Sequence, residues 1–120
     1  MNAIQLHQVQ KNYSDFTLGP LTLSLPSGCI LGLVGENGAG KTTTIKLLLN
    51  LIRRDGGAVQ VLGKDPVQSG PALKEELGVV LDEVGFPDCL TPGQLEKVLR
   101  HTYSRWDSNR YRSLLHQFRL

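Results

Sequence analysis

Long apolar runs, cysteines and net charge are all scarce in this 120-residue sequence, and each shortage excludes a class of protein. No apolar run reaches the roughly 18 residues that cross a membrane, so we expect no transmembrane span. The opening residues, MNAIQLHQVQ, lack a signal-peptide pattern. Nothing in the sequence pairs its two cysteines, Cys29 and Cys89, in a disulfide framework. We therefore expect a reduced protein of the cytoplasm.

The net charge of +2 is too small to indicate a nucleic-acid partner, and we expect none. The charge is unevenly distributed, because residues 91–120 carry six basic and two acidic side chains. We interpret this excess as the solvated side of two amphipathic helices rather than as a binding patch. Hydrophobic residues make up 40% of the chain, which is enough for a folded core.

Alternation of apolar and polar residues predicts half-buried strands at the start of the chain and again later. The pattern covers residues 3–10, residues 16–25 as two short antiparallel strands, and residues 58–62. Residues 29–34 and 77–81 are continuously apolar, which is typical of strands that are covered on both faces.

Helices are predicted in four places. Residues 41–52 are apolar on nearly every side, as in a helix buried between layers, and residues 69–76 form a short helix with Pro71 in its first turn. Thr91 is expected to cap a third helix, and a fourth begins near Asp107 with apolar residues at helical spacing.

A phosphate-binding loop is the strongest functional motif in the sequence. Residues 35–42 fit the pattern G-x-x-x-x-G-K-[ST], between a predicted buried strand and a predicted helix, which is the context that the motif requires. Its glycines let successive backbone N–H groups surround an anion, and the helix N-terminus adds positive potential. Lys41 would neutralise the terminal phosphates of a nucleotide, and Thr42 would offer its hydroxyl to Mg²⁺. The predicted phosphate-binding residues are Gly35, Glu36, Asn37, Gly38, Ala39, Gly40, Lys41, Thr42 and Thr43.

The stretch GENGAGKTT, its leucine-rich helix and the later DGGAVQVLGKDP together resemble the ATP-binding subunit of an ABC transporter. The resemblance is close over residues 1–90 and weaker over 91–120. It implies an α/β fold, with a P-loop NTPase core, an N-terminal antiparallel β subdomain and the start of a helical subdomain. Residues 1–81 would be the nucleotide-binding core with its β subdomain. Residues 82–120 would be the Q-loop region and a truncated helical subdomain.

The resemblance also assigns roles to two residues outside the loop. Tyr13 occupies the position of an aromatic residue that stacks on adenine in this family, and such stacking needs no hydrogen bond to the base. Asp82, in GVVLDE, falls where the family has the glutamine of its Q-loop, whose side chain reaches Mg²⁺. An aspartate is shorter than glutamine and charged, and it is also a good ligand for Mg²⁺. A cap on the following turn is the structural alternative for Asp82.

Two features of the family are missing from the sequence: the Leu-Ser-Gly-Gly-type signature, and the later catalytic strand with its glutamate and switch histidine. We therefore expect this chain to bind ATP and Mg²⁺ without hydrolysing ATP at a useful rate. The stop at Leu120, within a predicted helix, suggests a truncated protein. We expect the apolar face of this last helix to be left uncovered and to favour self-association.

The parent protein implied by the resemblance would drive transmembrane transport from the inner face of the membrane. Its partners would be a second ATPase subunit and a membrane-spanning subunit. Three alternatives stay open. One is a soluble ABC-type ATPase of DNA repair or translation. Another is a compact P-loop kinase or GTPase that uses Asp82 and Glu83 itself, and the third is a nucleotide-binding stub without turnover.

Overall fold

The computed structural model describes residues 1–35, 40–80 and 86–120. The chain divides into two compact units, Met1–Glu76 and Leu77–Leu120. In chain order the elements are β1 (Asn2–Asn12), β2 (Thr17–Pro26), α1 (Lys41–Leu48), β3 (Gly56–Val61), α2 (Pro66–Lys74), α3 (Pro92–Thr102) and α4 (Ser108–Gln117). Among the described residues, no helix is both long enough and apolar enough to span a bilayer.

The first unit is built on an antiparallel sheet in the order β2-β1-β3. Helices α1 and α2 pack against β3. Alternate strand residues point into the core, where apolar burial favours folding. The buried apolar residues named for this unit are Leu6, Val9, Leu18, Leu47, Val59, Val61 and Leu73. The antiparallel strands predicted near the start of the chain are confirmed, although residues 17–26 form one strand and not two.

A bulge in β1 explains why a glycine is needed in β3. Gln8 has a positive φ of 51°, and the register of β1 shifts at this point against both neighbouring strands. Gly57 lies opposite with a φ of 84°. A methyl group on Gly57 would overlap the backbone carbonyls of Gln8 and His7. Gly57 therefore combines a backbone conformation and a close approach that a larger residue does not tolerate.

The two strands predicted from continuous apolar runs are not found. Residues 29–35 and 77–80 have no regular secondary structure. The side chains of Ile30 and Val80 are 100% and 98% exposed. A strand needs a hydrogen-bonded neighbour, and the described strands pair only with one another in the antiparallel sheet. The sequence pattern identified segments suited to a covered sheet, but the described part of the chain supplies no strand beside them.

The first two helices differ from their predicted extents. Helix α1 ends at Leu48, four residues early, and only Thr44 and Leu47 of its residues are buried. Helix α2 begins at Pro66 instead of residue 69 and is kinked at Gly70, which has non-helical angles. The kink comes directly before Pro71, because proline has no N–H to donate and restricts the residue before it.

In the second unit, both predicted helix starts are confirmed. Thr91 caps α3 and forms a capping box with Gln94, and Asp107 caps α4. The Trp106 indole N–H donates to the Glu96 carboxylate at 3.1 Å, which lowers the pKa of Glu96. The Tyr111 hydroxyl donates to the Pro92 carbonyl at 2.8 Å. Neither helix has a fully buried residue. The contacts between α3, α4 and the loop that joins them include these two hydrogen bonds and the Trp106 and Tyr111 rings, whose centroids are 5.2 Å apart.

The bulge yields a stability prediction with a matched control. We expect Gly57→Ala to destabilise the protein by about 1–3 kcal/mol from backbone strain alone, with the carbonyl overlap adding to it. Gly56→Ala is the control, because the methyl group would meet only Gln10 Cβ at 3.8 Å, an ordinary contact. Urea unfolding of both variants measures the difference. Equal midpoints for Gly57→Ala and the wild type would contradict this account of the bulge.

Asp65 makes stability depend on pH. Its carboxylate accepts from the Val67 N–H at 2.8 Å at the start of α2 and lies 3.1 Å from the Arg54 guanidinium. The helix N–H, with a further contribution from Arg54, holds the pKa of Asp65 below its usual value of 3.8. A lowered folded-state pKa means that this stabilisation is complete above the unfolded-state pKa and is lost as the pH falls through the folded-state value.

We therefore expect Asp65→Ala to cost about 1 kcal/mol at pH 7, as for the loss of a helix cap, and progressively less below about pH 4. Urea unfolding between pH 7 and pH 2.5 measures this loss. Asp88→Asn, which neutralises an exposed carboxylate in the second unit, is the control and should have little effect. A cost for Asp65→Ala that is the same at pH 7 and pH 2.5 would show that the charge has no role.

Candidate functional site

A tight hairpin brings two aromatic rings together between β1 and β2. The Tyr13 N–H donates to the Phe16 carbonyl at 2.7 Å, which closes a two-residue loop of Ser14 and Asp15. The two rings have centroids 6.5 Å apart, and their planes lie within 20° of parallel. Tyr13 is 43% exposed, so much of its side chain is accessible to a ligand.

Asp55 anchors the base of this hairpin to the start of β3. Its carboxylate accepts from the Asn12 N–H at 2.6 Å and lies 3.9 Å from the Lys11 ammonium. Its own N–H donates to the Gln10 carbonyl at 2.8 Å. Lys11 in turn lies 5.6 Å from the centroid of the Tyr13 ring, within the range of a cation–π interaction. The position of Tyr13 is thus supported from the neighbouring strand.

Helix α1 starts directly beside β2. Gly40 precedes the helix with a φ of 100°, and a methyl group there would lie 2.5 Å from Leu18 Cδ1 and 3.4 Å from Phe16 Cζ. Gly40 has no side chain that could cap the helix, so the first-turn N–H groups need an acceptor from elsewhere. The buried Thr44 hydroxyl is satisfied, because it donates to the Gly40 carbonyl at 2.8 Å. This N-terminus has the chemistry of an anion site.

Lys41 joins the two ends of the phosphate-loop motif. Its ammonium donates a hydrogen bond to the carbonyl of Gly35. The structure therefore places the first glycine and the lysine of the motif close together. Glu36, Asn37, Gly38 and Ala39 lie outside the described residues, and their predicted roles stay predictions.

A pocket of about 620 Å³ lies between the hairpin and the start of α1. Its volume is typical of small-molecule sites. Its lining combines two aromatic residues and an aspartate of the hairpin with a glycine, a lysine and two threonines of the helix start. It is lined by Tyr13, Asp15, Phe16, Gly40, Lys41, Thr42 and Thr43.

The pocket brings together five of the residues that the sequence predicted, from two separate parts of the chain. Tyr13 meets Gly40, Lys41, Thr42 and Thr43 there. Asp82, the predicted second ligand of Mg²⁺, lies outside the described residues, and its role stays a prediction.

Sequence reasoning missed Asp15 and Phe16. Phe16 was treated only as the first residue of an alternating strand. Its place three residues after Tyr13, across a short polar loop, was the available signal, because residues that close a hairpin have side chains on the same face of the sheet.

Comparison with known proteins identifies the family. The family model described as "ABC transporter" matches residues 18–120, most of the chain. This chain belongs to the ABC transporter family. The resemblance seen in the sequence is therefore confirmed.

Curated relatives agree with this assignment. The petrobactin import ATP-binding protein FatE of Bacillus anthracis is 35% identical over 104 residues, which are 85% of this chain and 42% of that protein. The daunorubicin resistance ATP-binding protein DrrA2 of Streptomyces coeruleorubidus is 33% identical across 98% of this chain and 38% of its own length. The probable multidrug ABC transporter ATP-binding protein YbhF of Escherichia coli is 34% identical over 73% of this chain and 16% of its own. The chain thus spans less than half the length of these relatives.

A solved structure confirms the fold. The structure entitled "Structure of ATP binding subunit of ABC transporter" aligns with a TM-score of 0.83 and 23% sequence identity, over 98% of this chain and 51% of that one. At this identity the likeness establishes the fold alone. The predicted fold class, part of a P-loop NTPase fold with an antiparallel sheet, is confirmed.

Proposed function

We propose that this chain binds ATP in the pocket between the hairpin and α1, as part of the ATPase subunit of an ABC transporter. One observation carries the proposal: a single pocket is lined both by the aromatic residue Tyr13 and by Lys41, at the start of a helix that has no side-chain cap. The aromatic faces suit a nucleobase, and the ammonium and helix N–H groups suit phosphates. Family membership and the names of the relatives support ATP as the nucleotide.

The residues of the pocket also fit Mg²⁺. The described part of the chain has no cluster of three or more acidic, histidine or cysteine side chains that would form a dedicated metal cage. Mg²⁺ bound with a nucleotide does not need one, because phosphates and waters supply most of its ligands. The Thr42 hydroxyl, on the wall of the pocket, would hold the ion together with those phosphates. Asp82 is proposed as a further ligand from the sequence alone.

The remaining proposals concern a whole ATPase subunit, since this chain spans less than half the length of its curated relatives. We propose that the whole subunit drives transport across a membrane, pairs with a second ATPase subunit, and lies in the cytoplasm against a membrane-spanning subunit. Residues 1–81 would provide the nucleotide-binding core, and 82–120 the Q-loop region and part of a helical subdomain. The relatives include proteins named for import and for drug resistance, so their names support transport without favouring one direction.

Lys41 provides the first test. We expect Lys41→Ala to weaken ATP binding at least tenfold, because the variant removes the charge beside the helix start that would face the terminal phosphates. Titration calorimetry with Mg-ATP measures the affinity.

Lys46→Ala is the matched control, since it removes the same charge from the last turn of the same helix. It should bind ATP as the wild type does. Equal affinities for ATP in Lys41→Ala and the wild type would reject the proposed phosphate site. An equal loss in both lysine variants would point to a general charge effect.

The second test concerns turnover. We propose that the chain alone releases phosphate far more slowly than about 1 per second, the lower end for working kinases. Hydrolysis requires a positioned water and stabilised charge on the transferred group, in addition to binding. A phosphate-release assay on the wild type, with Lys41→Ala as the background control, measures it.

Glu83→Gln separates this proposal from the alternative of a compact P-loop enzyme. Glu83 lies outside the described residues. In the alternative, Glu83 would serve as the base for water, so its replacement would abolish turnover. Rapid release by the wild type that Glu83→Gln abolishes would favour that enzyme over an ABC-type fragment. We expect both proteins to show the same low rate.

A further inference from the structure

We propose that Phe16 is a second base-binding residue, so that the nucleobase contacts both rings of the hairpin and not Tyr13 alone. This inference rests on the proposed nucleotide function. It assigns to the same pocket a specificity determinant that the sequence did not reveal.

The hairpin places both aromatic residues in the same pocket, where one ligand can contact both. Tyr13 and Phe16 are fixed opposite each other by the hydrogen bond that closes the loop, and both line the pocket. Their ring planes lie within 20° of parallel and their centroids are 6.5 Å apart. Because both rings line the same pocket, a flat base held there can contact a face or an edge of each.

The position of Phe16 also suits a ligand that reaches from the hairpin to the helix. Its Cζ atom would lie 3.4 Å from a methyl group on Gly40, the residue directly before Lys41. Phe16 is thus adjacent both to the exposed Tyr13 ring and to the start of α1. A nucleotide with its phosphates at α1 and its base at Tyr13 would extend past the Phe16 ring.

Stacking has a predictable selectivity. It requires a π face and no hydrogen-bond pattern, so a two-ring site tolerates changes in base identity. A purine offers each ring a larger face than a pyrimidine does. We therefore expect the pocket to bind ATP and GTP with similar affinity and UTP more weakly, with both aromatic residues contributing to the difference.

Phe16 also packs beside Leu18 and Gly40, so the test must separate base binding from structural support. Phe16→Leu keeps an apolar side chain of similar reach and removes the π face. Its fold is checked by thermal unfolding. Inorganic tripolyphosphate is the key control ligand, since it carries phosphates without a base.

Calorimetry tests whether Phe16 contacts the base. It compares the wild type, Phe16→Leu and Phe16→Trp, each with ATP, UTP and tripolyphosphate. We expect Phe16→Leu to weaken ATP binding about fivefold or more, as for the loss of one stacking partner. Tripolyphosphate binding should stay within twofold of the wild type. Phe16→Trp, which restores a π face, should recover most of the ATP affinity. Tyr13→Ala should show the same ligand dependence as Phe16→Leu, and Tyr13→Phe should bind ATP as the wild type does.

Two results would overturn the inference while ATP binding by the wild type and its dependence on Lys41 remain intact. One is unchanged ATP affinity in Phe16→Leu. The other is an equal loss for ATP and tripolyphosphate, which would show that Phe16 supports the phosphate end or the fold. A wild-type protein that fails to bind ATP would instead overturn the proposed function, and this inference with it.

Discussion

The close approach of α1 to β2 is the contact on which the candidate site depends. Gly40 lets the helix start directly against Leu18, where a methyl group would come within 2.5 Å of a buried side chain. Because Phe16 directly precedes β2, and β2 pairs with β1, this contact joins the hairpin to the helix N-terminus. A bulkier residue at position 40 would have to shift the helix or rearrange Leu18, and either change would alter the pocket.

The hairpin and the start of α1, both in the first unit, contribute different chemical groups to the candidate site. The antiparallel sheet provides a rigid hairpin with apolar faces, whereas the helix provides an ammonium, two hydroxyls and backbone donors. The pocket thus depends on the β subdomain as much as on the phosphate loop.

Local patterns in the sequence predicted much of this structure. The antiparallel strands and the caps at Thr91 and Asp107 depend on short-range rules, whereas the expected place of Tyr13 at the nucleotide came from the family resemblance. The strand prediction was wrong for 29–34 and for 77–80, the described part of the second segment, because apolar composition indicates suitability for a covered sheet and cannot supply the neighbouring strands. Phe16 was missed for a related reason: its place in the pocket depends on what lies across the hairpin and beside α1, and not on the apolar–polar alternation of its own segment.

The hydrogen bond from Lys41 to the Gly35 carbonyl would affect the free energy of binding an anion at this site. An ammonium that already has an acceptor within the protein exchanges one partner for another when an anion arrives. The net gain is therefore the difference between a charge–charge and a charge–dipole interaction, which is smaller than the full ion pair. In return, the side chain is already ordered near the loop, so less rotamer entropy is lost on binding. In the proposed nucleotide site, the Gly35 carbonyl would thus be the acceptor that a phosphate oxygen replaces.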